Sequence, residues 1–190
     1  VYSATIPGVS NPTLIAFHVV AADRGDAEAT RVFPSDAPAR ECLVRVGDPE
    51  PAGLFGVYRI WMTDAAKRRW INRERLSSEP LEATFVNGSH RVIYGAGAMY
   101  AGGAFRSPSW SGPTGVPVDY ALSFPEDDRF LGTTETTLAW PGLPPPRPDP
   151  TAQSEQVAYR IAEQMGLPSC HRRYVVTYYN GVRRNEVMED

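Results

Sequence analysis

The chain has 190 residues, 42% apolar and 22% charged, a balance that suits a globular fold of one domain, or one and part of another, rather than a disordered segment. A net charge of −3 lacks the electrostatic footprint of a nucleic-acid binder, and no apolar run approaches the roughly 20 residues of a bilayer-spanning helix. Two distant cysteines, Cys42 and Cys170, define neither a disulfide framework nor a zinc site, and whether they pair stays open.

Residues 1–47 read as β-structure with turns. Tyr2–Ile6 and Leu14–Val20 are short and rich in β-branched and aromatic residues, and the turn signals Pro7-Gly8 and Asn11-Pro12 separate them. Cys42–Val46 is a third strand, closed by Gly47-Asp48-Pro49. A complete sandwich needs about seven strands, so this stretch is expected to be part of one. Asp48–Gly53, with two prolines, reads as a linker.

Val57–Met62 is a strand that runs into a basic helix from Thr63 or Asp64 to Glu74. Either residue can cap the helix, because a short side-chain oxygen accepts an orphan backbone N–H there. Trp70 and Ile71 are its expected buried anchors. Asn87-Gly88 lies between Ala83–Val86 and Arg91–Tyr94, a hairpin signal because both turn residues tolerate positive φ. The glycine-rich run Gly95–Gly103 lacks the spacing of a dinucleotide loop, and no helix follows it. A strand crossed closely by another element, or one carrying a bulge, fits it better than a phosphate cradle. A polar loop from Ser107 to Pro117 precedes the alternating strand Val118–Phe124, and Glu126–Arg129 reads as a solvated acidic turn. Six prolines between Pro141 and Pro150 exclude helix and inner strand.

The clearest helix is Thr151–Met165, with Val157, Ala158, Ile161, Ala162 and Met165 at helical spacing. Thr151 can cap its start, Gly166 can end it, and Pro168 prevents resumption. Tyr174–Tyr179, Asn180-Gly181 and Val182–Glu189 form a second hairpin. Strands thus dominate without βαβ alternation, which predicts an α+β fold with a mainly antiparallel sheet and two principal helices. The chain opens on Val1 and stops inside this hairpin, so a parent protein continuing at both ends is expected.

Catalytic signatures are sparse. The sequence contains no G-x-S-x-G elbow, H-E-x-x-H pair or P-loop. His18, His90 and His171 stand apart in sequence. Of the 19 basic residues only Lys67 is lysine, so any chemistry that needs a lysine has one candidate. An aromatic set including Tyr58, Trp61, Tyr94, Tyr100, Trp110 and Tyr120 suits a core better than a sugar site.

Three blocks resemble the CotH family of spore-coat-type atypical protein kinases, found in bacterial proteins. They are Tyr58–Thr63 through Glu82–Gly88 to Arg91–Gly97; Val118–Gly132; and Tyr159–Pro168 with Arg173–Gly181 and Glu189. The last, a helix, a Gly-Leu-Pro turn and an Asn-Gly hairpin ending in an acidic residue, is the most specific. The resemblance spans residues 54–190 and implies the N-terminal lobe of a kinase-like domain. Residues 1–47 look like part of the immunoglobulin- or fibronectin-like β-sandwich module often placed before such domains. Also implied are phosphoryl transfer from ATP, with Mg or Mn, to protein serines, and a secreted or envelope-associated location. Glu189, Tyr100 and Arg106 are the expected nucleotide-contacting residues. The family's catalytic and metal-binding aspartates are expected beyond Asp190, so the chain alone should be inactive. Met99 and Ala101 stand where members commonly carry a basic residue, Lys67 falls on a helix, and Asn185 replaces a usual glycine. These departures favour the alternative, a catalytically inactive extracellular or surface interaction module.

Overall fold

The computed structural model describes residues 3–10, 12–25, 29–51, 53, 55–73, 77–101, 119–139, 153–170 and 172–189. Strands dominate and two helices accompany them. Seven strands close into a barrel: β5 (Gly56–Trp61), β6 (Leu81–Asn87), β7 (Arg91–Tyr100), β8 (Tyr120–Ser123), β9 (Glu135–Ala139), β10 (Arg173–Tyr179) and β11 (Val182–Glu189). Their order around the barrel is β10-β11-β9-β8-β7-β6-β5. Neighbours run antiparallel, as expected, except that β10 pairs in parallel with β5 from Val175–Gly56 to Tyr179–Ile60.

The period-2 rule of strands explains how this sheet closes on itself. Along β5, Tyr58 and Ile60 enter the barrel core, while Arg59 and Trp61 are buried against its outer wall. Leu81, Ala83 and Phe85 of β6 face inward with Ile93, Ala96 and Ala98 of β7. The register shifts between Ala83 and Phe85, which face Ala96 and Ile93, so β7 carries an extra residue. That bulge falls at Tyr94-Gly95, where Gly95 takes φ +69°. A Cβ at Gly97 would strike Ser123 Oγ and Pro80 Cβ. The glycine run is therefore a bulged, closely crossed strand as far as Tyr100.

The N-terminal strands form two small ladders. β1 (Thr13–Phe17) pairs with β4 (Cys42–Val46), and β2 (Val19–Ala22) pairs with β3 (Thr30–Phe33). The single strand expected over Leu14–Val20 is interrupted at His18, and Ser3–Ile6 forms no strand. β4 lies on the barrel wall, where Leu43 packs with Trp61 and Val86, and its amide N–H donates to Thr84 Oγ1 at 3.2 Å.

The segment read as a linker is fastened to that wall. Arg59, 3% exposed, donates to the Gly88 carbonyl (2.8 Å), the Pro49 carbonyl (3.0 Å) and Glu50 Oε1 (2.9 Å). Trp61 Nε1 donates to Asp48 Oδ2 at 2.7 Å, and Asp48 also pairs with Arg45. Pro and Gly content pointed to a spacer, but the partners that hold Asp48–Glu50 come from β4 and β5.

Helix α1 (Asp64–Asn72) is capped by Thr63, whose Oγ1 accepts from the Ala66 N–H at 3.1 Å. Its buried residues are Ala66 and Trp70, one helical turn apart. Ile71 is 48% exposed, so the expectation of Ile71 as an anchor is wrong: one residue further along the helix turns it about 100° off the inner face. Helix α2 (Ser154–Gln164) ends as expected at Gly166. There the Gly166 N–H donates to the Glu163 carbonyl and the Leu167 N–H to the Ala162 carbonyl, a Schellman arrangement that uses Gly166 at φ +71°. No residue of α2 is buried.

The Asn180-Gly181 turn joins Tyr179 and Val182 with both central residues at positive φ. At the first hairpin the turn slides by one position. Asn87 stays in β6 opposite Arg91, and Gly88–His90 form the loop, with Gly88 at φ +61°. Cys42 and Cys170 are both free, the first buried and the second exposed. Among the described residues no helix is long and apolar enough to cross a membrane. Arg106, Trp110, Val118, Thr151, His171, the Ser107–Pro117 loop and the proline-rich stretch lie outside the described residues.

Candidate functional site

The barrel interior is filled by two tiers of aromatic rings. Tyr58, Phe85, Phe124 and Phe130 form one, with ring centroids 4.8–5.5 Å apart in the contacting pairs. The other gathers Trp70, Tyr100, Tyr120 and Tyr179, with α1 placing Trp70 against the tyrosines. Trp70 sits 4.8 Å from Tyr100, 6.0 Å from Tyr120 and 6.3 Å from Tyr179, all edge-on. Edge-to-face packing matches the positive rim of one ring to the negative face of the next.

Tyr100, one of the three expected nucleotide contacts, belongs to this second tier. Burial pushes the Tyr120 phenol up from its ordinary value, while the charge and hydrogen bond of Arg184 pull it back. Tyr179 is pushed well above its ordinary 10, first by burial and then by Tyr120. Both phenols are therefore neutral near pH 7. Trp70 Nε1 and Tyr179 Oη make no hydrogen bond to any described residue.

Glu189 is the last described residue of β11, with Leu138 and Arg173 as its register partners. Tyr100 pairs with Tyr120, and Tyr120 with Leu138. Tyr100 and Glu189 thus sit in one register row three strand steps apart, about 14 Å at the usual strand spacing. Arg106, the third expected contact, lies outside the described residues. Lys67 is on α1, with Nζ 3.1 Å from Asp64 Oδ1. In the acidic turn Asp128 pairs with Arg91, and Arg129 Nε donates to the Glu126 carbonyl at 3.1 Å, as a solvated turn should. Cys42 is no candidate nucleophile: burial, aided by Glu41, pushes its thiol up. Among the described residues no three His, Cys, Asp or Glu side chains gather as a cation site would need.

Sequence reasoning missed a groove of about 610 Å³ between α2 and the start of β10. Phe55, Val157, Ile161 and Tyr174 give it apolar walls, and Phe55 and Tyr174 lie 6.0 Å apart. Arg160, Arg172 and Arg173 also line it. Arg172 bonds Glu155 at 2.6 Å and stands 4.9 Å over the Tyr159 ring. Arg173 reaches inward to the Tyr58 hydroxyl, its guanidinium 5.5 Å from that ring. The sequence did hold a signal: an apolar helix stripe followed closely by Arg172-Arg173.

The sequence matches no protein-family model, and no curated protein matches it.

Proposed function

We propose that this chain acts by binding, as a surface interaction module that presents the α2–β10 groove. The observation that carries this reading is α2 itself. Its apolar side chains Val157 and Ile161 are 53% and 50% exposed, and Met165 just beyond it is 68% exposed. Isolated helices shorter than about 12–15 residues are marginal in water, so an 11-residue helix with no buried face is one that a partner would stabilise. Apolar surface rimmed by charged residues is a common mark of a docking site. The filled barrel interior adds to this, because it leaves binding to the outside.

The second reading is the nucleotide-covering lobe of a CotH-like kinase, acting on protein serines with ATP and Mg or Mn. One observation favours it. Arg173, which lines the groove, is the register partner of Glu189, so a cation and the expected acidic position start from adjacent strands. On either reading, a secreted or envelope-associated setting and a partial β-sandwich over residues 1–47 remain proposals that rest on the resemblance.

Calorimetric titration of ATP with Mg²⁺ or Mn²⁺ separates the two. Absence of binding at millimolar nucleotide supports the interaction module. Metal-dependent binding that weakens in Glu189→Ala would sink it and establish the lobe.

A further inference from the structure

We infer that the β1–β4 ladder is a latch on the barrel: β4 fastens the β10–β11 hairpin, and displacing the ladder lets that hairpin part from β5 while β6–β8 stay folded. The hairpin joins the rest of the barrel along two lines. One is the parallel seam of five register pairs, from Val175–Gly56 to Tyr179–Ile60. The other is its pairing with β9, where the described register pairs are Met188–Ala139 and Glu189–Leu138. Parallel pairing is slightly weaker per residue than antiparallel, so what happens at the end of the seam matters.

That end is the Asn180-Gly181 turn, and two elements grip it. The first is β5 and the residue after it. The Asn180 N–H donates to the Ile60 carbonyl at 3.1 Å, and the Asn180 side chain bonds both backbone groups of Met62. The second is β4. A Cβ placed on Gly181 would fall on the Arg45 guanidinium, so this cation lies directly against the turn. Arg45 in turn pairs with Asp48, whose carboxylate accepts from Trp61 Nε1 at 2.7 Å. Trp61 follows Ile60, and the contacts therefore close a ring: β5, Asn180, Gly181, Arg45, Asp48 and β5 again.

The Arg45 and Asp48 side chains are 11% and 8% exposed. Losing either leaves the other buried without compensation, so ladder and turn are expected to let go together. A two-stranded sheet is marginal by itself, and β4 depends on the wall: Leu43 packs with Trp61 and Val86 and bonds Thr84. The side chain that loosens most readily is thus tied to the hairpin through one guanidinium.

The test is amide hydrogen exchange of the full chain, with thermal melts to confirm that each variant folds. Arg45→Met keeps an apolar stem and removes the charge. Leu43→Ala loosens β4 at a position whose packed neighbours, Trp61 and Val86, lie outside the hairpin. In both variants Val175–Arg183 should exchange about tenfold or more faster, while Leu81–Val86 and Ile93–Ala98 change by less than about twofold. Coupling is reciprocal, so Gly181→Ala, which pushes a methyl into Arg45 from the turn side, should speed exchange in Leu43–Val46. Equal acceleration in every strand would overturn the proposal, because ladder and barrel would then open as one unit. Unchanged hairpin exchange in Leu43→Ala, or unchanged β4 exchange in Gly181→Ala, would overturn it as well. Should Arg45→Met fail to fold, those two variants decide the matter without it.

Discussion

Replacing Asp48 with alanine probes whether the proline-containing segment after β4 is a spacer or part of the barrel wall. The Asp48 carboxylate is 8% exposed, accepts from Trp61 Nε1 at 2.7 Å, pairs with Arg45, and lies 3.8 Å from Arg59 Nε. Removing one partner of a buried ion pair costs about 3–5 kcal/mol, because the remaining charge is left uncompensated. Stranding an indole N–H costs about 1–3 kcal/mol. These losses overlap, and Arg59 keeps Glu50 and two carbonyls. The expected destabilisation is therefore near the lower end, about 3 kcal/mol. With a urea m-value of about 2 kcal/mol/M, the unfolding midpoint should fall by about 1.5 M with m unchanged. A double-mutant cycle with Trp61→Phe should show coupling of about 1 kcal/mol. A midpoint shift below about 0.3 M would refute the reasoning and return Asp48–Glu50 to the status of a solvated tether.

Asn180 clasps the backbone of Met62, donating from Nδ2 to its carbonyl at 2.8 Å and accepting its N–H at Oδ1 at 2.9 Å, while holding φ +45°. Asn180→Ala should cost about 2–3 kcal/mol by urea melts, and Asn180→Gly about 1 kcal/mol less, since glycine recovers the backbone conformation but not the bonds. Gly97→Ala forces a methyl into Ser123 Oγ and Pro80 and should cost about 2 kcal/mol. Adding Ser123→Gly should recover part of that loss in the same assay. Tyr179 has its folded-state pKa raised by burial, so its stabilising contribution is full below about 10 and disappears as pH climbs from there toward the higher folded value. Alkaline melts should show stability falling by up to about 1.4 kcal/mol per pH unit from this group. Tyr179→Phe should flatten that fall, and an unchanged alkaline slope would count against the buried-phenol assignment.

Local signals read well where a short-range rule decides the outcome. Thr63 as helix cap, Gly166 as helix stop, β4 at Cys42–Val46 and the Asn180-Gly181 hairpin each depend on a few consecutive residues. Ile71 misled because a nine-residue helix with one tryptophan leaves its inner face undefined to within one position; Ala66, a small residue, set the face instead. The barrel was not legible, since its closure joins β5 to β10 through parallel hydrogen bonds that leave no pattern in either strand. The fastening of Asp48 was hidden for a related reason: its partners Arg45, Arg59 and Trp61 lie on β4 and β5, and only the packing of β4 against the barrel wall brings them together. Tyr100, named from a resemblance, has a neighbour that no local pattern could reveal, Trp70, which arrives from α1.

The β5–β10 seam also bears on how the chain reaches its native state. Gly56 meets Val175 only after every intervening strand has been made, so the barrel has a high contact order and should fold slowly compared with a sheet of successive hairpins. During synthesis β5 waits with one edge unpaired, a template for association with other chains. In the folded chain Asp48 and Glu50 cover Arg59 and Trp61 on one face of that strand. A chain ended before Arg173 would leave the edge of β5 open for good, and aggregation during expression is the outcome to expect of it.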